Sequence, residues 1–276
     1  MSSLLVLDFD GTMTDAEEEG RPFREGYLED LAALTARPLD QIRSMAEEIE
    51  MSITHDTEAH GWRFEGRIVA PACVDPYLRI MPVARGIFDQ FGAFPDEHDR
   101  TRLLDRILYK YNYGKTSNVF RDGAHAALRR LEGTATYVVT NSHTRAVQDK
   151  IASLGDVNWL IDRVHGNARK YQVDDTFAGV PETLQLPGLT RPVLLRRRLY
   201  HDALEGLRHQ VGCSWSEVTV VGDIFELDLA LPLALGCRVG IVPNEFTPRY
   251  ELAYLDAHPR AQRIESLSEL PTLVKD

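Results

Sequence analysis

Leu4-Leu5-Val6-Leu7-Asp8-Phe9-Asp10-Gly11-Thr12 is the stretch that decides the fold. Residues 3–8 form a short apolar run, which reads as a buried strand. Side chains alternate along a strand, so Asp8 and Asp10 point to one side and Phe9 to the other. Two carboxylates at the C-terminal end of a buried strand stand where open α/β sheets bind their ligands. Taken alone, the segment is equally well a strand closed by an Asp-Gly turn, because short motifs are frequent by chance.

The series that completes the sheet begins beyond residue 118. Asp122 is placed to cap a helix carrying Ala127, Leu128 and Leu131. A strand at 135–140 follows, then a helix to Leu154 with Gly155 as its stop. A weaker strand near 157–161, a helix over 199–211 stopped by Gly212 and a strand at 217–221 come next. A further helix, a strand at 238–242 and a short element at Arg263–Ile264 end the series. Strands alternating with helices predict a parallel sheet covered on both faces. Residues 15–118 interrupt it and read as helical. Phe23, Tyr27, Leu31 and Leu34 recur at helical spacing, as do Ile42, Met45 and Ile49. Leu103, Leu104, Ile107, Leu108 and Tyr111 do so again, after a candidate cap at Asp99. Residues 61–82 contain Pro71, Pro76 and Pro82 and read as irregular. The expected architecture is α/β, with a Rossmann-like parallel-sheet core of 1–14 and 119–276 and an inserted, mostly α-helical domain of 15–118.

Size and charge narrow the function classes. A chain of 276 residues suits one large domain or a domain with an insert. Asp and Glu total 42 against 31 Lys and Arg, a net charge of −11. Such a chain repels phosphate backbones and anionic bilayers, so neither nucleic acid nor membrane is an expected partner. Cys73, Cys213 and Cys237 are odd in number and far apart, with no disulfide framework or zinc spacing. The N-terminus lacks the charged and apolar regions of a signal peptide. The most apolar stretch, 227–242, is broken by Asp228, Pro232 and Arg238. A cytoplasmic protein is expected.

Two further segments repeat the logic of the first. Val221-Gly222-Asp223, followed by Asp228, brings more carboxylates to the end of another apolar strand. Four clustered carboxylates repel one another unless a cation intervenes, and hard oxygen ligands with room for a phosphate suit Mg²⁺. Asp228 can also cap the helix that follows. Tyr137-Val138-Val139-Thr140-Asn141-Ser142 ends in hydroxyl and amide donors just before a helix N-terminus, a place suited to phosphate and equally to an ordinary N-cap.

In this order the three segments resemble the haloacid dehalogenase-like hydrolase superfamily. Motif one is Asp8-Phe9-Asp10-Gly11-Thr12, motif two Thr140-Asn141, and motif four Gly222-Asp223 with Asp228. Residues 263–270 look like that family's closing strand and helix. The insert between motifs one and two resembles the subgroup with an α-helical cap. The resemblance implies a Mg²⁺-dependent phosphatase acting on a small phosphorylated molecule. Asp8 would be the nucleophile and Asp10 the acid and base. Mg²⁺ would be held by Asp8, the Asp10 carbonyl and Asp223, with Asp228 in support and Thr12 steadying the turn. Thr140, Asn141 and one cation would hold the phosphoryl oxygens, and the cap would close over the substrate on hinges near 13–16 and 114–119. A dehalogenase would not need Asp10 or a metal site; a phosphomutase shares every motif; a binding protein could keep the fold without turnover. No motif encodes the substrate or the oligomeric state.

The chain departs from the family at motif three, where Lys-Pro is common and this sequence has none. Arg191, Arg197, Arg198 and Lys170 are the candidate cations. Arg198 is the expected one, since the helix of 199–211 begins just after it, whereas Lys170 lies much further from Asp223. Residues 162–196 are longer than the family's usual link. Pro232 is expected to kink the helix after motif four. Arg21, Arg24, Arg63, Arg67, Arg79 and Arg85 could meet an anion, although scattered arginines are usually solvated. His55 and His60 lack the spacing of a metal motif and read as polar loop residues.

Overall fold

A computed structural model describes residues 3–112 and 118–274. The strands are β1 (Leu4–Leu7), β2 (Gly61–Phe64), β3 (Arg67–Pro71), β4 (Thr136–Val139), β5 (Val164–His165), β6 (Thr183–Leu184), β7 (Val193–Leu194), β8 (Val218–Gly222), β9 (Arg238–Ile241) and β10 (Ala261–Arg263). Helices α1 (Ala16–Thr35), α2 (Leu39–His55), α3 (Pro76–Phe91) and α4 (Glu97–Asn112) precede α5 (Ala124–Arg130), α6 (Thr144–Ala152), α7 (Arg198–Val211), α8 (Ala230–Leu235) and α9 (Arg249–Ala257). The chain forms two compact units. One comprises Met1–Asp15, Arg63–Ala70 and Phe120–Asp276, the other Ala16–Trp62 and Pro71–Val119.

The first unit is an α/β core. Its six-stranded sheet runs β10-β9-β8-β1-β4-β5, and neighbouring strands pair parallel. β1 sits inside because all four of its residues are apolar and at most 1% exposed. Leu4 and Val6 pack on one face with Val220, Ile241, Tyr200 and Leu204. Leu5 and Leu7 pack on the other with Val138, Leu128, Val147 and Ile151. Each such side chain contributes about 1.5–3 kcal/mol on burial. The alternation therefore anchors β1 from both sides and sets Asp8 at the sheet's C-terminal edge. The weak strand expected at 157–161 is instead a 3₁₀ turn over Asn158–Arg163, and the edge strand is the two residues of β5.

The second unit holds α1–α4. Helices α1, α2 and α3 pack on one another through Phe23, Leu31, Ile42, Ile53, Val83 and Ile87, all fully buried. Residues 61–82, expected to be irregular, are mostly regular: β2, β3 and the start of α3 fall within them. Asp75 caps α3 by accepting hydrogen bonds from the Tyr77 and Leu78 amides, and Pro76 occupies the first turn, where its missing N–H costs nothing. Upstream, β2 and β3 form a two-stranded sheet whose residues Arg63–Ala70 belong with the core unit. The cap before α4 is Asp96, whose carboxylate accepts from the Asp99 amide, rather than Asp99 itself. Of the expected hinges, residues 114–117 lie outside the described residues. No helix among the described residues is long and apolar enough to cross a membrane.

Candidate active site

Two neighbouring strand ends bring three carboxylates together at the C-terminal edge of the sheet. Asp8 follows β1, Asp223 follows β8, and Asp228 lies five residues on, in a π-helical turn over Phe225–Leu229. One carboxylate oxygen from each lies within 4.8 Å of the other two, and all three residues are buried. Close approach depends on two glycines. A Cβ on Gly11, whose φ is 78°, would lie 2.2 Å from Asp223 Oδ2. One on Gly222 would lie 2.4 Å from the Asp228 Cβ. No side chain fits at either position.

The cation in this cluster is Lys170. Its Nζ donates to Asp8 Oδ1 at 2.6 Å and to Asp228 Oδ1 at 2.8 Å, and the residue is 1% exposed. Burial works against its charge, but Asp228 and Asp8 outweigh burial and hold the ammonium above the ordinary lysine range. Thr12 Oγ1 donates to Asp223 Oδ1 at 2.9 Å and lies 3.4 Å from Asp8 Oδ2. A hydroxyl has one proton, so the shorter contact is the hydrogen bond that counts. Burial pushes the Asp8 carboxyl up to about 7, opposed by Lys170 and reinforced by Asp228. Burial also holds Asp223 well above the usual carboxylate range, with Asp228 and Asp8 adding to the rise. Three carboxylates against one ammonium leave surplus negative charge in a buried space. That surplus, on hard oxygen donors, fits a divalent cation such as Mg²⁺, which Asp8 and Asp223 could hold through their side chains. Asp228 is otherwise engaged: its second oxygen accepts the Ile224 amide at 3.0 Å.

Pro232 comes just after the π-helical turn over Phe225–Leu229. It lies in the first turn of α8, and its missing N–H would have bonded the carbonyl four residues back, that of Asp228. The Tyr200 hydroxyl donates to that carbonyl at 2.8 Å instead.

The other expected residues are placed as follows. Asp10 Oδ1 accepts from Lys150 Nζ at 2.9 Å, and Asp10 Oδ2 is buried with no hydrogen-bond partner. Thr140 is 2% exposed and its hydroxyl accepts the Ser142 amide at 3.1 Å. Asn141 turns its carbonyl oxygen to the Lys170 amide at 2.7 Å, which leaves its NH₂ for a ligand. Arg198 is not in the cluster. Its guanidinium is half exposed and pairs with Asp174 at 3.4 Å. Arg197 stands just before α7 in a non-helical conformation (φ −105°, ψ 76°), and it is Arg197 that is fully buried, whereas Arg198 opens the helix on its exposed side. Arg191 binds both oxygens of the buried Glu226. The arginines of the insert are used in pairs: Arg24 with Glu50, Arg79 with Glu17, and Arg85 with Glu97. Arg21 pairs with Glu18, while Arg67 pairs with Asp175 and Arg63 donates to the Gly66 carbonyl.

Lys170 is reachable because the long link to α7 is a folded excursion. β6 and β7 pair antiparallel within it, and Phe177, Val180, Leu186, Leu189 and Val193 are buried against the sheet. Their apolar spacing was the signal available in the sequence. Lys150, on α6, carries no such signal.

The sequence matches a haloacid dehalogenase-like hydrolase family over residues 3–236. No curated protein matches it. Among solved structures, a predicted phosphoglycolate phosphatase from Haemophilus somnus 129pt is 16% identical, with a TM-score of 0.52 over 99% of this chain and 97% of that one. A haloacid dehalogenase superfamily hydrolase of subfamily IA, variant 1, from Geobacter sulfurreducens PCA is 17% identical, with the same score and coverage. A haloacid dehalogenase-like protein of unknown function from Agrobacterium tumefaciens str. C58 is 16% identical, with a TM-score of 0.50 over 99% and 97%. These likenesses agree with the α/β fold and the inserted helices, and with the family match over most of its length the chain belongs to the haloacid dehalogenase-like hydrolases.

Proposed function

We infer that this hydrolase is a Mg²⁺-dependent phosphatase that cleaves a small phosphorylated metabolite through an aspartyl-phosphate. One observation carries the reading: three buried carboxylates, one oxygen of each within 4.8 Å of the others, hold a single lysine on Asp8 and Asp228, and Asp10 is near enough to act electrostatically on Asp8. A dehalogenase would need the nucleophile but neither the surplus carboxylates nor Asp10.

Asp8 attacks phosphorus with one carboxylate oxygen, and the bond from phosphorus to the leaving oxygen breaks. Asp10 gives its proton to that oxygen, which departs as an alcohol. Water then attacks the aspartyl-phosphate, Asp10 takes the water's proton, and Asp8 is released with inorganic phosphate. Mg²⁺, held by Asp8, the Asp10 carbonyl and Asp223, would neutralise the equatorial oxygens as charge shifts. Lys170 holds Asp8 in place and offsets charge; Thr12 keeps Asp223 aimed inward; the Asn141 NH₂ and the loop after Thr140 receive phosphoryl oxygens. The acidic surface makes nucleic acid and anionic membrane poor partners.

The test is a screen of phosphate release from sugar, nucleotide and amino-acid phosphates, with and without Mg²⁺, alongside chloride release from 2-haloacids. Phosphate release that needs Mg²⁺ supports the reading. Chloride release without metal, or no turnover of any phosphate ester, removes it.

A further inference from the structure

We propose that Arg197 is a positioning residue that clamps Lys170 against Asp8 and Asp228, in place of the helix that would otherwise hold such a lysine. The proposal rests on the assignment of Lys170 to the active site. Lys170 lies in neither a helix nor a strand. The segment before it is tightly turned, with Asn167 and Arg169 both at positive φ, 55° and 47°. No regular backbone ladder fixes its main chain, and two side chains do so instead. Asn141 accepts the Lys170 N–H at 2.7 Å, and the Arg197 guanidinium donates to the Lys170 carbonyl.

Arg197 is itself fixed by more than this contact. It is 0% exposed. Its Nε donates to the Leu194 carbonyl at 3.0 Å and its second terminal nitrogen to the Val69 carbonyl at 2.8 Å. Three segments distant in sequence therefore meet on one planar group. A buried guanidinium is costly unless its donors are satisfied. Here all three nitrogens donate to backbone carbonyls, and no carboxylate pairs with it among the described residues. Only arginine presents several donors in a rigid fork; lysine offers a single point charge on a flexible stem. Burial lowers the guanidinium to about 10, so it stays charged at neutral pH and adds a positive charge beneath the carboxylates. The arrangement accounts for a lysine that reaches Asp8 from outside any regular element. The excursion between Lys170 and α7 returns the chain so that Arg197, the residue just before α7, closes on the Lys170 carbonyl.

The test is steady-state turnover of p-nitrophenyl phosphate with Mg²⁺ in wild type, Arg197→Lys, Lys170→Met and the double variant, with a crystal structure of Arg197→Lys. The clamp predicts a fall in kcat of at least about tenfold in Arg197→Lys with KM changed less than about twofold, since charge is kept and geometry lost. On the Lys170→Met background the same substitution costs less than about twofold, because residues acting through one another are not additive. The crystal structure shows the Lys170 ammonium beyond hydrogen-bond reach of Asp8. Equal losses in both backgrounds, unchanged kcat, or an undisplaced Lys170 overturn the clamp. Wild-type kcat in Lys170→Met would instead refute the assignment of Lys170 to catalysis, and the position of its ammonium in Arg197→Lys still decides the clamp. If Arg197→Lys does not fold, Arg197→Gln, which keeps a planar donor without charge, takes its place in both measurements.

Discussion

Replacing Lys170 by Met keeps the stem and removes the charge. The ammonium lies 2.6 Å from Asp8 and 2.8 Å from Asp228 and is 1% exposed. Its loss leaves three buried carboxylates within 4.8 Å of one another with no cation among them. Breaking a buried ion pair by removing one partner costs about 3–5 kcal/mol. A second route gives a similar figure. The cluster can relieve itself by binding one more proton. Holding a carboxyl protonated at pH 7, against a reference of 3.8, costs about 1.4 kcal/mol per pH unit, or about 4 kcal/mol. Urea unfolding of the metal-free protein at pH 7 should therefore show a deficit of about 3–5 kcal/mol relative to wild type. At pH 5 the extra proton is cheaper and the deficit falls below about 2 kcal/mol. Phosphate release falls at least about a hundredfold, equivalent to about 2.7 kcal/mol. A deficit under about 1 kcal/mol at pH 7, or one independent of pH, would refute the reasoning that Lys170 neutralises the cluster.

Three further outcomes follow from the same geometry. Arg198→Ala leaves kcat and KM of phosphate release within about twofold of wild type, because its guanidinium pairs with Asp174 at the surface; a tenfold loss would return it to the site. Asp8→Asn, metal-free, gains stability relative to wild type as pH rises from about 4 to about 7. The folded Asp8 carboxyl sits at about 7 against 3.8 unfolded, so its contribution to stability is present at low pH and lost across that window. Urea midpoints that differ by the same amount at pH 4.5 and pH 8 would contradict it. Mg²⁺ raises the melting temperature of wild type but not of Asp223→Asn; at a hundred times its Kd the ion adds about 2.7 kcal/mol. Equal shifts in both proteins would place the ion elsewhere.

The parts of the chain legible from sequence are those where local pattern and tertiary environment agree. β1, β4 and β8 are short apolar runs closed by Asp8, Thr140 and Gly222, and the sheet buries them on both faces. Asp8, Asp223 and Asp228 meet because two such strands are neighbours in the sheet. What the pattern hid depends on long-range partners. Pro71, Pro76 and Pro82 read as breaks, yet Asp75 caps a helix that starts at Pro76 and the strand before it ends at Pro71. Arg198 is nearer Asp223 in sequence than Lys170 is, but sequence distance does not measure spatial distance. The excursion between Lys170 and α7 folds into its own ladder, and the non-helical backbone at Arg197, just before α7, leaves Arg197 buried and Arg198 at the surface. Lys150 meets Asp10 from α6, a pairing no local spacing marks.

The central claim is that Asp8 carries the phosphoryl group, and the most direct measurement is to trap it there. The protein is mixed with p-nitrophenyl phosphate and Mg²⁺, quenched, and reduced with borohydride, which converts an aspartyl-phosphate to homoserine. Peptide mass spectrometry then reads the residue at position 8. The account predicts homoserine at position 8 in wild type, dependent on both substrate and Mg²⁺, and none in Asp8→Asn. Release of p-nitrophenol with Asp8 unmodified, or with the label on any other residue, would contradict it.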